Sequence, residues 1–141
     1  MNRQVFSLLF LSLLFNTFNL PAAELTGEYV NLPKVQLWII DSGGEGEAII
    51  LLHPRTGNSQ FWQNTIPALA EAGYRAIAID NPGWGKSRVD DPKNPDPVAV
   101  TLSALINELG LDRVHVVGTA MGGYVALDYA AAYPEQTRSL V

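Results

Sequence analysis

The chain has 141 residues, enough for one domain at most. Hydrophobic residues make up 48% and charged ones 16%, as in a globular chain with an apolar core, and the net charge of −5 speaks against a nucleic-acid surface. With no cysteine, disulfides, thiolate zinc sites, a cysteine nucleophile and a lipidated N-terminal cysteine are excluded; with only His53 and His115, no histidine-rich metal motif exists, and neither metal nor cofactor is expected.

Residues 1–23 read as a secretory leader. Arg3 gives a positive start, Val5 to Phe15 is apolar apart from two serines, and Asn16 to Ala23 is more polar and ends in small residues, with cleavage expected near Ala22 or Ala23. The apolar core is shorter than the ~20 residues of a spanning helix. The mature chain is therefore expected to be exported, with no stable membrane span after cleavage.

Glu24 to Lys34 is a mixed lead-in, Val35 to Ile40 a strand, and Asp41 to Glu47 a turn. Ala48 to Leu52 is a continuous apolar run, the pattern of a strand buried on both faces. His53 to Asn58 is a loop, and Ser59 is the expected N-cap of a helix over Gln60 to Ala72, which Pro67 splits into a short first turn and a second helix starting near Pro67, ended by Gly73. Tyr74 to Ile79 is the next strand, followed by a long loop from Asp80 to Pro97 that also holds Pro82, Pro92 and Pro95. Val98, Leu102, Leu105, Ile106 and Leu109 share one face of a helix that Gly110 stops. Val114 to Val117 is a strand, Gly122 to Tyr133 a helix stopped by Pro134, and Ser139-Leu140-Val141 the opening of a further strand. Strands alternating with helices predict an α/β fold, a mainly parallel sheet with helices on both faces.

Gly118-Thr119-Ala120-Met121-Gly122-Gly123 joins the last full strand to the last helix. Strand, tight glycine turn and helix form the setting of the nucleophile elbow G-x-S-x-G, where a serine sits on a strained turn. Here the pattern reads G-x-A-x-G, with a methyl group at Ala120 in place of a hydroxyl. Two other glycine motifs are excluded. Gly85-Lys86-Ser87 lacks the first glycine of a P-loop, since residue 80 is Asp80, and Gly118 to Gly123 lacks the G-x-G-x-x-G spacing of a dinucleotide site.

Over Val35 to Val141 the chain resembles the α/β-hydrolase superfamily. Leu51-Leu52-His53-Pro54 stands where that family has a strand ending in His-Gly, and Phe61-Trp62 to Gly73-Tyr74-Arg75 resembles its first helix and next strand. Asp80-Asn81-Pro82-Gly83-Trp84-Gly85-Lys86-Ser87 resembles its D-x-x-G-x-G-x-S loop, and the elbow closes the set. The resemblance implies chemistry on esters, lactones, amides or related carbon bonds, by nucleophilic attack and oxyanion stabilisation. It also implies that the triad acid and histidine follow the elbow. After Gly123 come Asp128 and Glu135, neither in a matching place, and no histidine. A truncated α/β-hydrolase fold without triad turnover is the expectation.

By the same resemblance, the oxyanion donors are the backbone N–H groups of Met121 and Arg55, since Pro54 has none. His53 reads as a loop-shaping residue and His115 as a surface or packing residue of its strand. Trp62 is a core residue or a pocket wall, and Gly118, Gly122 and Gly123 give the turn its room. Ala120 is open to three readings: a scaffold that works without the serine, a decayed relic, or an engineered knockout. The function classes are correspondingly three: a hydrolase-like chain, a binding module for a small carbonyl ligand, and an incomplete product whose open sheet edge promotes self-association.

Overall fold

A computed structural model describes residues 25–141; the expected leader over residues 1–23 lies outside the described residues. β1 (Gly27–Leu32) and β2 (Val35–Asp41) form an antiparallel hairpin closed by Pro33 and Lys34, where Lys34 turns the chain at φ 64°. β1 falls in the stretch read as lead-in, and only Val30 and Leu32 pack on the core. β3 (Ala48–Leu52), β4 (Arg75–Ile79), β6 (Val114–Gly118) and β7 (Thr137–Leu140) form the parallel part, and β5 (Arg88–Val89) is a short antiparallel partner of β2.

The strand order is β1-β2-β4-β3-β6-β7. The sheet is thus mixed: parallel from β4 to β7, antiparallel where β2 meets β1, β4 and β5. A connection as short as Pro33-Lys34 can join only antiparallel strands, so the turn imposes the β1–β2 pairing.

Alternate side chains of β3 explain its unbroken apolar run. Ile50 and Leu52 point to one face, joining Leu37, Ile39, Ile77, Ile79 and Val116 beneath α2 (Val98–Glu108) and α3 (Met121–Ala132). Ile49 and Leu51 point to the other, with Ile40, Ala76 and Ala78 beneath Trp62 and Ile66 of the segment that leads into and forms α1 (Thr65–Glu71). Each fully buried aliphatic side chain contributes roughly 1.5–3 kcal/mol, so both faces of the sheet are anchored by the same short strand.

One local expectation is corrected, the cap, while the split into a short turn and a helix starting near Pro67 is found. Asn58, not Ser59, caps the helical segment: its Oδ1 accepts the Gln60 N–H at 2.9 Å, while the Ser59 N–H donates to Asp80 Oδ1 at 2.6 Å. Ser59–Trp62 is a single 3₁₀ turn, and the α-helix starts at Thr65, which puts Pro67 in its first turn, where a missing N–H costs no intrahelical bond. No helix among the described residues is long and apolar enough to cross a membrane.

Candidate functional site

The turn between β6 and α3 is built from close backbone contacts. A Cβ on Gly118 would collide with the Gly122 carbonyl, and a Cβ on Gly122 with the Leu52 carbonyl. The Thr119 N–H donates to Leu52 O at 3.2 Å, and the N–H groups of Gly122 and Gly123 donate to Thr119 O and Ala120 O, both at 2.9 Å. These contacts hold Ala120 at φ 52°, ψ −113°, immediately before the first residue of α3. Among the described residues only Lys34 shares a positive φ without being glycine. Such a conformation costs on the order of 1–3 kcal/mol and survives only where the surroundings over-determine it. The bend places the exposed methyl of Ala120 at its apex.

β3 runs beside β6, with Leu52 opposite Gly118, so the loop after β3 lies next to the bend. His53 is fully buried there. The Asn81 N–H donates to its Nε2 at 3.0 Å, and its Nδ1 lies 2.8 Å from Pro54 O. An amide N–H only donates, so Nε2 is the acceptor and Nδ1 carries the hydrogen. Pro54 O takes a second bond from the Gly57 N–H at 2.9 Å. The amides of Arg55 and Met121 take part in none of the backbone bonds that shape these two turns.

The loop from Asp80 to Ser87 braces the same end of the sheet. Asp80, buried, accepts the Ser59 N–H at 2.6 Å and the Lys86 N–H at 2.7 Å. Ser87 Oγ donates to Asp80 O at 2.7 Å and accepts the Trp38 N–H at 2.9 Å. Gly85 turns at φ 54° where a side chain would strike the Asp80 carboxylate. Trp84 Nε1 donates to Arg55 O at 3.1 Å. The side chains of Asp80, Trp84 and Ser87 are therefore spent on backbone groups and hold the two turns in place, while the buried side-chain amide of Asn81 has no hydrogen-bond partner.

A cavity of about 450 Å³ opens at the bend, lined by Gly118, Ala120, Gly123, Tyr124 and Leu127, with Leu140 and Val141 across from them. No charged side chain lines it. Of the residues singled out from sequence, Ala120, Gly118 and Gly123 reach the cavity. Gly122 is buried behind the bend, Met121 is half-buried at the helix start, and Arg55 is exposed on the adjoining loop. Trp62 does not line the cavity: it packs with Ile66 and Leu51 on the other face of the sheet, edge-to-face with Phe61 at 5.0 Å. His115 sits on β6, with Ser139 Oγ 2.7 Å from Nδ1 and Glu47 Oε2 3.1 Å from Nε2. Sequence reasoning missed the wall formed by Tyr124 and Leu127. Their three-residue spacing on α3, off the buried face of Ala126 and Tyr129, was the available signal. Among the described residues no group of three His, Asp or Glu side chains is placed to hold a metal ion.

A sheet with this strand order, a strained strand-to-helix bend and a cavity at its apex define a scaffold of the hydrolase type. A sequence profile of the alpha/beta hydrolase fold matches residues 47–141, and the chain belongs to that family. Among curated relatives, a 2-hydroxy-6-oxononadienedioate/2-hydroxy-6-oxononatrienedioate hydrolase of Burkholderia vietnamiensis is 38% identical over 125 residues, 82% of this chain and 43% of its own. A 2-hydroxy-6-oxo-6-phenylhexa-2,4-dienoate hydrolase of Comamonas testosteroni is 38% identical over 106 residues, 72% of this chain and 37% of its own. The chain thus spans less than half the length of these relatives. Among solved structures, an epoxide hydrolase of Vigna radiata superposes with a TM-score of 0.75 at 24% identity, over 82% of this chain and 38% of its own, which shows the shared fold.

Proposed function

We propose that this chain is an exported α/β-hydrolase-fold protein whose bend binds the oxygen of a small carbonyl or carboxylate ligand and performs no nucleophilic attack at residue 120. The observation that carries this reading is the backbone of Ala120: φ 52° at the apex of the turn, with only a methyl group to present. In this reading residue 120 stands at the attacking position, and alanine offers only carbon there. What the fold does supply are amides, those of Met121 and Arg55, whose hydrogens are not used in shaping the turns.

Such donors are each worth ~2.7–4 kcal/mol toward a charge that develops on oxygen, and less toward a neutral carbonyl. A carboxylate is therefore the favoured head group. The relatives named above act on 2-hydroxy-6-oxo acids, which carry both a ketone and a carboxylate. With no cation among its lining residues, the cavity here suits an uncharged end such as a phenyl group better than a second carboxylate. Self-association through β7, the last of the described strands on that side of the sheet and bearing the exposed Leu140, belongs to the same reading. Sedimentation of the chain as a monomer at all concentrations would contradict that part.

The test is a titration with phenylacetate followed by thermal unfolding and by amide NMR. The reading predicts a saturable rise in Tm and shifts at the Arg55 and Met121 amides. No change in either would refute it.

A further inference from the structure

We propose that His53 is a positioning residue: its Nδ1–H sets the direction in which the Arg55 N–H points. The proposal rests on the reading of Arg55 as a ligand donor. A trans peptide unit is planar, so its C=O and the following N–H point opposite ways. The Pro54 carbonyl and the Arg55 N–H belong to one such unit. Proline fixes φ at residue 54, which leaves ψ of Pro54 as the soft dihedral that orients the plane. That dihedral is set by two donors to Pro54 O: His53 Nδ1 at 2.8 Å and the Gly57 N–H at 2.9 Å.

The ring that makes the first of these bonds is itself immobilised. His53 is fully buried, and the Asn81 N–H at 3.0 Å from Nε2 fixes both its rotation and its tautomer. Asn81 follows directly on Asp80, whose carboxylate is held by two backbone donors. On the far side of the unit, the next carbonyl, Arg55 O, is held by Trp84 Nε1 at 3.1 Å. A chain of short contacts thus runs from the end of β4 through the imidazole to one peptide plane, and turns its N–H away from the imidazole. His53 never touches the ligand in this account; it acts through Pro54.

The two ring nitrogens have separable jobs, and amide side chains can copy each alone. In His53→Asn, the amide nitrogen reproduces the Nδ1 donor to Pro54 O and gives up the Asn81 contact. In His53→Gln, the longer side chain reproduces the Nε2 acceptor for Asn81 and gives up the bond to Pro54 O. The readouts are the residual dipolar couplings of the Arg55 and Met121 N–H vectors in the ligand-free protein, and the affinity for phenylacetate.

The expected result is a changed Arg55 coupling in His53→Gln with the Met121 coupling preserved, together with ~5- to 10-fold weaker phenylacetate binding, the loss of one net hydrogen bond. His53→Asn keeps the Arg55 coupling and binds within about 3-fold of the unsubstituted chain. An Arg55 coupling unaltered in His53→Gln overturns the positioning role, whatever the ligand does. Failure of phenylacetate to shift either amide in the unsubstituted chain overturns the donor reading, whatever the couplings show. A check without substitution is the ¹⁵N spectrum of the His53 ring: the Nδ1–H tautomer is required, and the Nε2–H tautomer or a doubly protonated ring overturns the proposal.

Discussion

Gly122 lies so close beneath the carbonyl of Leu52 that no side chain fits between them, and the adjacent His53 carbonyl is 2.9 Å from the place a Cβ would take. The start of α3 is thereby locked onto the end of β3, and the bend at Ala120 is the chain's means of reaching that position. Gly123, one residue on, has room, with Gly118 O at 3.5 Å from its would-be Cβ. Gly122→Ala is expected to cost ~3 kcal/mol or more through backbone displacement. Gly123→Ala is expected to be neutral or to stabilise by up to ~1 kcal/mol through helix propensity. Urea unfolding of the two variants, compared with the unsubstituted chain, checks the contrast.

Ala120 is strained by its backbone and not by its surroundings' lack of space. Ala120→Gly relieves that strain at the expense of a more flexible unfolded chain, and the net expectation is stabilisation by ~1 kcal/mol. Calorimetry reads this directly. A loss of stability would mean that the bend is an easier conformation than its φ indicates.

Ala120→Ser restores the hydroxyl, and neither of the two described histidines is free to serve as its base. Both ring nitrogens of His53 are engaged, with Asn81 N–H and Pro54 O, and both of His115 lie against Ser139 and Glu47. The substituted chain is expected to show no saturable ester hydrolysis above the unsubstituted one. A burst of acylation in a stopped-flow assay is the outcome that contradicts this.

Asp80 satisfies the backbone amides of Ser59 and Lys86 in a buried setting. Asp80→Ala leaves both donors without a partner, and ~2–4 kcal/mol of destabilisation is expected. Asp80→Asn, with one accepting oxygen, should fall between. Chemical denaturation of the pair gives the order.

The acid side of the stability profile has an identifiable contributor. The hydrogen bond from His115 holds the Glu47 carboxyl below its ordinary value of 4.5, with Arg138 adding attraction at 3.1 Å. A group whose folded-state value is lowered stabilises the fold above its unfolded value, and that stabilisation is lost as pH falls through the folded one. Glu47→Gln should therefore flatten the fall in Tm below about pH 4.5. The carboxylate is exposed, so the difference should shrink in high salt. Melting curves across that range at two salt concentrations test both statements.

Much of the fold was legible because its signals are local. The unbroken run of β3, the one-faced pattern of α2 and the glycine bend before α3 each state their element without help from the rest of the chain. β1 and β5 were not legible, because they are specified by pairing with β2: Arg88 and Val89 become a strand only through Gln36 and Val35. The sequence pattern places the cap one residue late because Asn58 and Ser59 are both good cap residues, and only the folded backbone brings the Asn58 Oδ1 to the Gln60 amide. For the site, the bend and its missing hydroxyl were visible in the motif itself. The cavity wall was not, since Leu140 and Val141 come to it only through the register of β7 beside β6.

The central claim is that residue 120 stands where an attacking atom would be and forms no covalent intermediate. The most direct measurement is intact-mass analysis of the chain after incubation with p-nitrophenyl acetate, alongside the rate of nitrophenol release. The account predicts an unmodified mass and a rate equal to that of heat-denatured chain. Saturable release with an acetylated species mapped to the bend would contradict it.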